Sequence, residues 1–75
     1  MITISEYPKY KHGEKIAVTL SGQEKPIICH FIRWEEKEDR PGRKFLVVEW
    51  NGQKRFIDDW FIGNLNGLPF RPFKV

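Results

Sequence analysis

The sequence has few of the residues that small domains use for covalent or metal cross-links. It contains one cysteine and two histidines. An internal disulfide is therefore excluded, and no Cys/His cluster indicates a bound metal. A chain of 75 residues buries only about 60% of the surface that its unfolded form exposes. We therefore expect aromatic and aliphatic packing to hold the fold together, and aromatic residues supply 15% of the chain.

Long apolar runs are also missing. No run approaches the roughly 20 residues needed to cross a bilayer, and the first ten residues lack the basic segment and long apolar region of a secretory signal. The sequence predicts a cytoplasmic protein with one folded domain at residues 13–75, preceded by a lead-in segment at residues 1–12. Its net charge of +3 permits an acidic partner or nucleic acid without requiring either.

The candidate catalytic residues do not form a catalytic arrangement. Cys29 and His30 are neighbours in a predicted strand, so their side chains point to opposite faces and cannot act as a nucleophile and base. We interpret Cys29 as a buried hydrophobic residue. Asp58 and Asp59 are interpreted as a helix cap and its solvated neighbour. No phosphate-binding glycine loop is present. The sequence therefore predicts a non-enzymatic protein without cofactor or metal.

The pattern of apolar residues predicts the first two strands. Ile16, Val18 and Leu20 share one face of a strand in residues 13–22. Residues 25–36 are apolar on both faces, which is typical of a strand in the centre of a barrel or between two layers. Residues 35–40 are expected to form a solvated charged loop, followed by a turn at Pro41-Gly42.

Asn51-Gly52 predicts a tight hairpin, because both residues tolerate the positive φ angles of a type I′ turn. A two-residue loop also fixes the register of the flanking strands. The predicted pairs are Trp50–Gln53, Glu49–Lys54, Val48–Arg55, Val47–Phe56, Leu46–Ile57 and Phe45–Asp58.

A short helical turn is expected after this hairpin, near Asp59 to Ile62. Asp58 or Asp59 would cap its start, and Gly63 would end it.

Residues 68–75 are expected to return as an edge strand, because Pro69 and Pro72 cannot donate ladder hydrogen bonds in a central position. The sequence thus predicts an all-β fold of about five antiparallel strands with one short helical turn. Three features carry a resemblance: GEKIAV opens a strand, VVEWNG ends one at a tight turn, and an Asp-led turn precedes the last strand. Over residues 13–75 the chain resembles the SH3-like small β-barrels of Tudor and KOW type. An OB-type barrel is the alternative, although it usually carries a longer helix.

The hairpin register divides the apolar residues between two faces. We assign Leu46, Val48, Trp50 and Ile57 to the core. Phe45, Val47 and Phe56 are then left on the outer face, where they form either a partner site or a surface covered by the chain ends. The residues available to cover that face are Ile2, Ile4, Tyr7, Phe70 and Phe73.

SH3-like barrels host unrelated functions, so function has to come from the surface. Aromatic side chains with neighbouring cations can anchor a protein partner or stack on bases. The ten acidic residues argue against a long phosphate-binding groove. The sequence therefore predicts a protein-binding or regulatory module, with binding of single-stranded nucleic acid or a duplex backbone as the alternative. The candidate contact residues are Trp34, Arg43, Lys44, Phe45, Val47, Lys54, Arg55 and Phe56.

Overall fold

A computed structural model describes residues 2–72 and shows an all-β fold. Its six strands are β1 Lys15–Leu20, β2 Ile27–Lys37, β3 Arg40–Trp50, β4 Gln53–Asp58, β5 Ile62–Leu65 and β6 Leu68–Pro69. They are antiparallel and lie in one sheet with the order β4-β3-β2-β1-β5-β6. A short 3-10 helix, Asp59–Phe61, joins β4 to β5. Within this part of the chain, no helix has the length and apolarity that crossing a membrane requires.

The all-β class and the edge position of the last segment are confirmed, with one strand more than expected. β4 and β6 are the two edges of the sheet, and no ladder joins them among residues 2–72. The predicted final strand is short: β6 has two residues, and Phe70 forms a parallel bridge with Ile4. Phe73 and the end of that predicted strand lie outside the described residues.

One face of the sheet carries the core. Ile16 and Val18 of β1 are buried, as their alternation predicts, and Leu20 is partly buried against the same cluster. Cys29 is 2% exposed, which confirms its interpretation as a small buried hydrophobic residue. The core cluster consists of Ile16, Val18, Cys29, Phe31, Leu46, Val48, Ile62, Leu65 and Phe70.

A β-bulge near the middle of β2 reverses which of its alternating side chains point to the core. The register with β3 shifts between Phe31 and Arg33, so alternation is interrupted and Trp34 packs against the core together with Phe31. Of the two alternatives for this strand, a position between two layers is wrong, because Ile28 on its outer face is 51% exposed. An extra residue in one strand re-aims the side chains that follow it, and alternation alone does not reveal where that happens.

The predicted turn at Pro41-Gly42 is displaced. The chain reverses at Glu38 and Asp39, and β3 already begins at Arg40. The ladder steps from Glu36 opposite Lys44 to Lys37 opposite Arg40, so residues 41–43 form a bulge in β3. Gly42 supplies the positive φ of 83° that this bulge contains.

The second hairpin has the predicted register at all six pairs from Trp50–Gln53 to Phe45–Asp58. Asn51 and Gly52 have φ angles of 52° and 75°, as a type I′ turn requires. The two-residue loop therefore determines which side chains of β3 and β4 share a face.

We expect Gly52→Val to lower the free energy of unfolding by about 1–3 kcal/mol, because a β-branched residue is strained at positive φ. No atom lies within 4 Å of a Cβ placed at this position, so the effect should come from the backbone alone. Urea denaturation measures it. Gly52→Asn is the control, since asparagine tolerates this conformation. Equal stability of the valine variant and the parent would contradict the turn geometry.

Trp50 is not a core residue, contrary to the sequence assignment. It points to the core face of β3 but lies next to the turn, at the end of the strand, and is 36% exposed. It lines an open cleft of about 280 Å³ together with Leu20 and Ile27. Alternation gives the correct face, but it does not tell how far the core extends along the strand.

Gly63 does not end the helical turn. Asp58 caps the 3-10 helix by accepting a hydrogen bond from the Trp60 amide, as predicted for one of the two aspartates, and Ile62 follows the helix in an extended conformation. Gly63 lies within β5, where a Cβ would come 3.3 Å from the Thr19 carbonyl oxygen. Its role is therefore to allow close approach to β1 rather than to supply positive φ.

Both ends of the described chain pack on the core face of the sheet. Ile4 and Tyr7 pack against the core cluster, and the Tyr7 ring lies 5.8 Å from that of Phe70 in a T-shaped contact. Phe56, on the outer face of the hairpin, is 51% exposed. The two termini, as far as the structure describes them, therefore cover the core. They leave the outer face of the hairpin open at Phe56.

Candidate partner-binding surface

The outer face of the β3–β4 hairpin holds a small apolar patch. The rings of Phe45 and Phe56 meet edge to face with centroids 6.5 Å apart. Val47 lies between its ladder partners Arg33 and Phe56 and is fully buried. Of the three apolar residues predicted on this face, Phe56 is the most accessible, Phe45 is partly accessible, and Val47 is not available to a partner.

Trp34 was predicted on the same surface but lies on the core side. Its ring stacks on Phe70 with centroids 5.7 Å apart and meets Tyr7 edge to face at 4.9 Å. Its indole Nε1 donates to the Pro8 carbonyl oxygen at 2.7 Å. The lead-in segment therefore holds Trp34 in place, and the bulge in β2 accounts for the change of face.

Two of the predicted cations, Lys54 and Arg55, are exposed on β4. The Arg55 guanidinium lies 5.8 Å from the centre of the Trp50 ring and donates to the Gln53 side chain at 2.8 Å. Neither cation forms an ion pair within residues 2–72. Their charges are therefore available at this edge of the sheet.

Arg43, a third predicted contact residue, belongs to a buried ion cluster centred on Asp59. The Asp59 side chain is fully buried. It accepts hydrogen bonds from Arg43 Nη2 at 2.5 Å and from Arg43 Nε at 3.0 Å. Lys37 Nζ approaches Oδ1 at 3.2 Å, the Lys44 amide donates to Oδ2 at 3.0 Å, and the Tyr7 hydroxyl also donates to Oδ2.

This cluster overturns two expectations from the sequence. Asp59 was interpreted as a solvated neighbour of the cap, and Lys37 as part of a solvated loop, yet Lys37 is only 7% exposed. Lys37 also reaches Asp58 at 2.6 Å, which joins the cap to the cluster. No local motif marks the cluster, because its members are brought together by tertiary contacts between the lead-in segment, β2, β3 and the 3-10 helix.

The cluster fixes the charge states of its members. Burial by itself would raise the pKa of Asp59, but hydrogen bonds from Arg43, Tyr7, the Lys44 amide and Lys37 hold that pKa well below its usual range. Burial, with the neighbouring Asp59 carboxylate, raises the pKa of Tyr7 to about 12. Asp59 therefore remains a carboxylate, and Tyr7 a neutral hydroxyl donor, at neutral pH.

The 3-10 helix exposes two aromatic side chains that are not among the contact residues predicted from the sequence. Trp60 and Phe61 are 61% and 60% exposed, whereas Asp59 between the cap and Trp60 points inward. A single helical turn cannot bury all of its side chains, so the sequence WF directly after the predicted cap already indicated that at least one of these rings is exposed. Both rings line a pocket of about 370 Å³ together with Lys37, Arg40, Arg43 and Asp58.

The pocket and the hairpin patch are connected. Lys37 lines the pocket, and its Nζ lies 5.1 Å from the centre of the Phe45 ring. The Arg43 guanidinium lies 5.8 Å from the centre of the Trp60 ring. We call the joined area the aromatic-basic surface; it comprises Lys37, Arg40, Arg43, Phe45, Lys54, Phe56, Trp60 and Phe61.

Two predicted contact residues lie outside the aromatic-basic surface. Arg55 is opposite Val48 in the ladder and therefore on the core face, and Lys44 Nζ lies 5.6 Å from the centre of the Tyr7 ring, which packs on the core.

The described residues hold no cluster of three or more metal-ligating side chains. Cys29 is buried and His30 is exposed, in agreement with opposite faces of β2. Burial raises the pKa of the Cys29 thiol to about 11. At neutral pH the thiol is therefore neither accessible nor ionised.

We expect the native protein to react with a thiol reagent far more slowly than the denatured protein, because the attacking species is the thiolate. Absorbance during reaction with an aromatic disulfide measures both rates, and the same protein in concentrated denaturant is the matched control. A native rate equal to that of the denatured chain would contradict the burial of Cys29.

In comparisons by sequence and by structure, no family model, curated protein or solved structure matches this chain. The surface described above therefore carries the available indications of function.

Proposed function

We propose that the chain is a non-catalytic module that binds a protein partner through the aromatic-basic surface. The order of its elements supports an SH3-like architecture: β4, β3, β2 and β1 are consecutive neighbours, β5 returns beside β1, and the 3-10 helix lies between β4 and β5. This similarity concerns topology alone, so the functional proposal depends on the surface.

The exposure of Trp60 and Phe61 beside a pocket is the observation that carries the proposal. Large aromatic rings are costly to leave in water, and residues of this kind are enriched among the anchors of protein interfaces. Phe56 adds a third ring that is about half exposed. Three accessible rings with cations at the margin match the composition of an interface with an apolar centre and a polar rim.

The distribution of charge favours a protein over nucleic acid. The charges of Lys37 and Arg43 are offset by Asp58 and Asp59 in the ion cluster. A second concave area, beside Phe45, is lined by the acidic residues Glu35, Glu36, Glu38 and Asp39. A phosphate backbone crossing this part of the surface would meet negative charge. A protein partner needs no continuous positive path.

Nucleic acid is the second candidate, and one observation favours it. Arg40 lines the same pocket as Trp60 and forms no ion pair within residues 2–72. A base stacked on Trp60 with a phosphate near Arg40 would use both residues. Such binding would weaken steeply with salt, because each neutralised phosphate releases a counterion.

The test compares affinity capture from extract of the source cells with titration of single-stranded and duplex oligonucleotides at low and moderate salt. The variants are Trp60→Ala and Ile28→Ala; Ile28 is a similarly exposed apolar residue outside the aromatic-basic surface. A protein retained by the parent and by Ile28→Ala but lost with Trp60→Ala supports the proposal. Salt-sensitive oligonucleotide binding that requires Trp60 would replace it with the second candidate, and absence of both would overturn it.

A further inference from the structure

β4 is the longer of the two edge strands of the sheet in the described chain. Among residues 2–72, β4 pairs with β3 alone. The opposite edge, β6, has two residues, one of which is Pro69. Short edge strands and prolines discourage pairing with another chain, whereas a long edge without proline permits it. β4 has six residues, Gln53–Asp58, and no proline.

The hairpin determines which backbone groups of β4 face outward. In the type I′ turn, Trp50 and Gln53 form the hydrogen-bonded pair that closes the loop. Hydrogen-bonded and non-hydrogen-bonded pairs alternate along an antiparallel ladder. The amide and carbonyl groups of Lys54, Phe56 and Asp58 therefore point away from β3, to the free edge.

The outward-facing residues of β4 are complementary to a second copy of the same strand. In a two-fold antiparallel pair centred on Phe56, the two Phe56 residues are opposite each other. Lys54 of each copy is then opposite Asp58 of the other, on the same face of the sheet. Opposite charges and aromatic pairs directly across a ladder each stabilise it, and a two-fold axis produces every contact except the central one twice.

The side chains needed for these contacts are accessible. Phe56 is 51% exposed. Asp58 uses one carboxylate oxygen, Oδ1, for both Lys37 and the Trp60 amide, and its side chain is 34% exposed. Oδ2 has no hydrogen-bond partner within the described residues, and Lys54 has no ion pair there. Each group thus retains bonding capacity that the other copy can use.

We propose that the chain self-associates into a two-fold dimer through β4, which extends the sheet across the two copies. This inference deepens the proposed function, because it names a second copy as the partner of one part of the aromatic-basic surface. It rests on that proposal only through the shared residues Lys54 and Phe56. The pocket at Trp60 and Phe61 lies beyond the paired strand and belongs to the other partner.

Sedimentation equilibrium of the full chain, from low micromolar to near-millimolar concentration, tests the dimer. The mass should rise with concentration from 9.0 kDa toward twice that value. Lys54→Asp should weaken association at least about tenfold, because it places like charges opposite each other at two symmetric positions. Lys25→Asp makes the same change in net charge at an exposed loop position and should leave association unchanged.

Phe56→Pro is the second variant. It removes an outward-facing amide and the central ring but no hydrogen bond to β3, so circular dichroism should retain the fold while the dimer is lost. A monomer at every concentration, or a dimer that both variants leave unchanged, would overturn the inference. Trp60→Ala should not alter self-association. The two proposals can therefore fail separately. If the chain stays monomeric but captures another protein through Trp60, only the dimer is refuted. If the chain dimerises but captures no such protein, only the partner proposal is refuted.

Discussion

Replacing Asp59 with asparagine is expected to lower the free energy of unfolding by about 3–5 kcal/mol, because removing one member of a buried ion pair leaves the other charge uncompensated. Asp59 is fully buried and faces both Arg43 and Lys37. Small domains have total stabilities of only about 5–15 kcal/mol, so much of this variant should be unfolded under mild conditions. Urea denaturation followed by tryptophan fluorescence gives the value.

Asp39→Asn is the matched control for this experiment. Asp39 is exposed in the turn between β2 and β3, and its substitution removes the same charge from the same type of residue. We expect a change within about 0.5 kcal/mol, as for ordinary surface positions. If the two variants unfold at the same urea concentration, the buried ion cluster does not stabilise the fold.

The same carboxylate gives the direction of the pH dependence. Its pKa is lower in the folded state than the ordinary value of about 3.9 for the unfolded chain. The folded state therefore binds this proton less tightly, and the contribution of Asp59 to stability is present above about pH 4 and lost as the pH falls below that value. The parent should lose stability over this acid range more steeply than Asp59→Asn, which lacks the titrating group.

The second large effect is expected at Phe70, where Phe70→Ala should cost about 3–5 kcal/mol by leaving a cavity that its neighbours fill only partly. Phe70 is completely buried, stacks on Trp34 and meets Tyr7 edge to face. Its backbone also carries the bridge to Ile4. Thermal and urea unfolding should both report the loss.

Phe61→Ala provides the control for Phe70→Ala, because it is the same substitution nine residues earlier, at a ring that is 60% exposed. Its effect on stability should be small, within about 0.5 kcal/mol. Comparable losses for the two phenylalanines would mean that the C-terminal segment does not pack on the core as described.

The elements that the sequence predicts well are those governed by local rules. Alternation of Ile16 and Val18 locates β1 and its buried face. Asn51-Gly52 specifies a turn type, and the turn type specifies the register of β3 against β4. From that register alone, Leu46 and Val48 go to the core and Phe56 to the outside, in agreement with the structure.

The remaining features depend on events that local rules do not specify. A bulge adds one residue and reverses the alternation that follows it, which is why Trp34 was assigned to the wrong face. The burial of Asp59 requires Tyr7, Lys37 and Arg43 to converge from three distant segments. The exposure of Trp50 depends on where the core ends along β3. Each of these is a property of tertiary packing, and a single sequence carries little sign of it.

The bridge between Ile4 and Phe70 has a consequence for the order in which the fold assembles. The β3–β4 hairpin closes a loop of two residues, whereas the bridge joins positions near opposite ends of the described chain. Closing a longer loop costs more entropy, and that cost must be met before the contact stabilises the chain. We therefore expect the lead-in segment to dock after the hairpins have formed and to detach before they open. In hydrogen exchange, its amides would define the least protected unit of the domain, and the β2–β3 ladder the most protected.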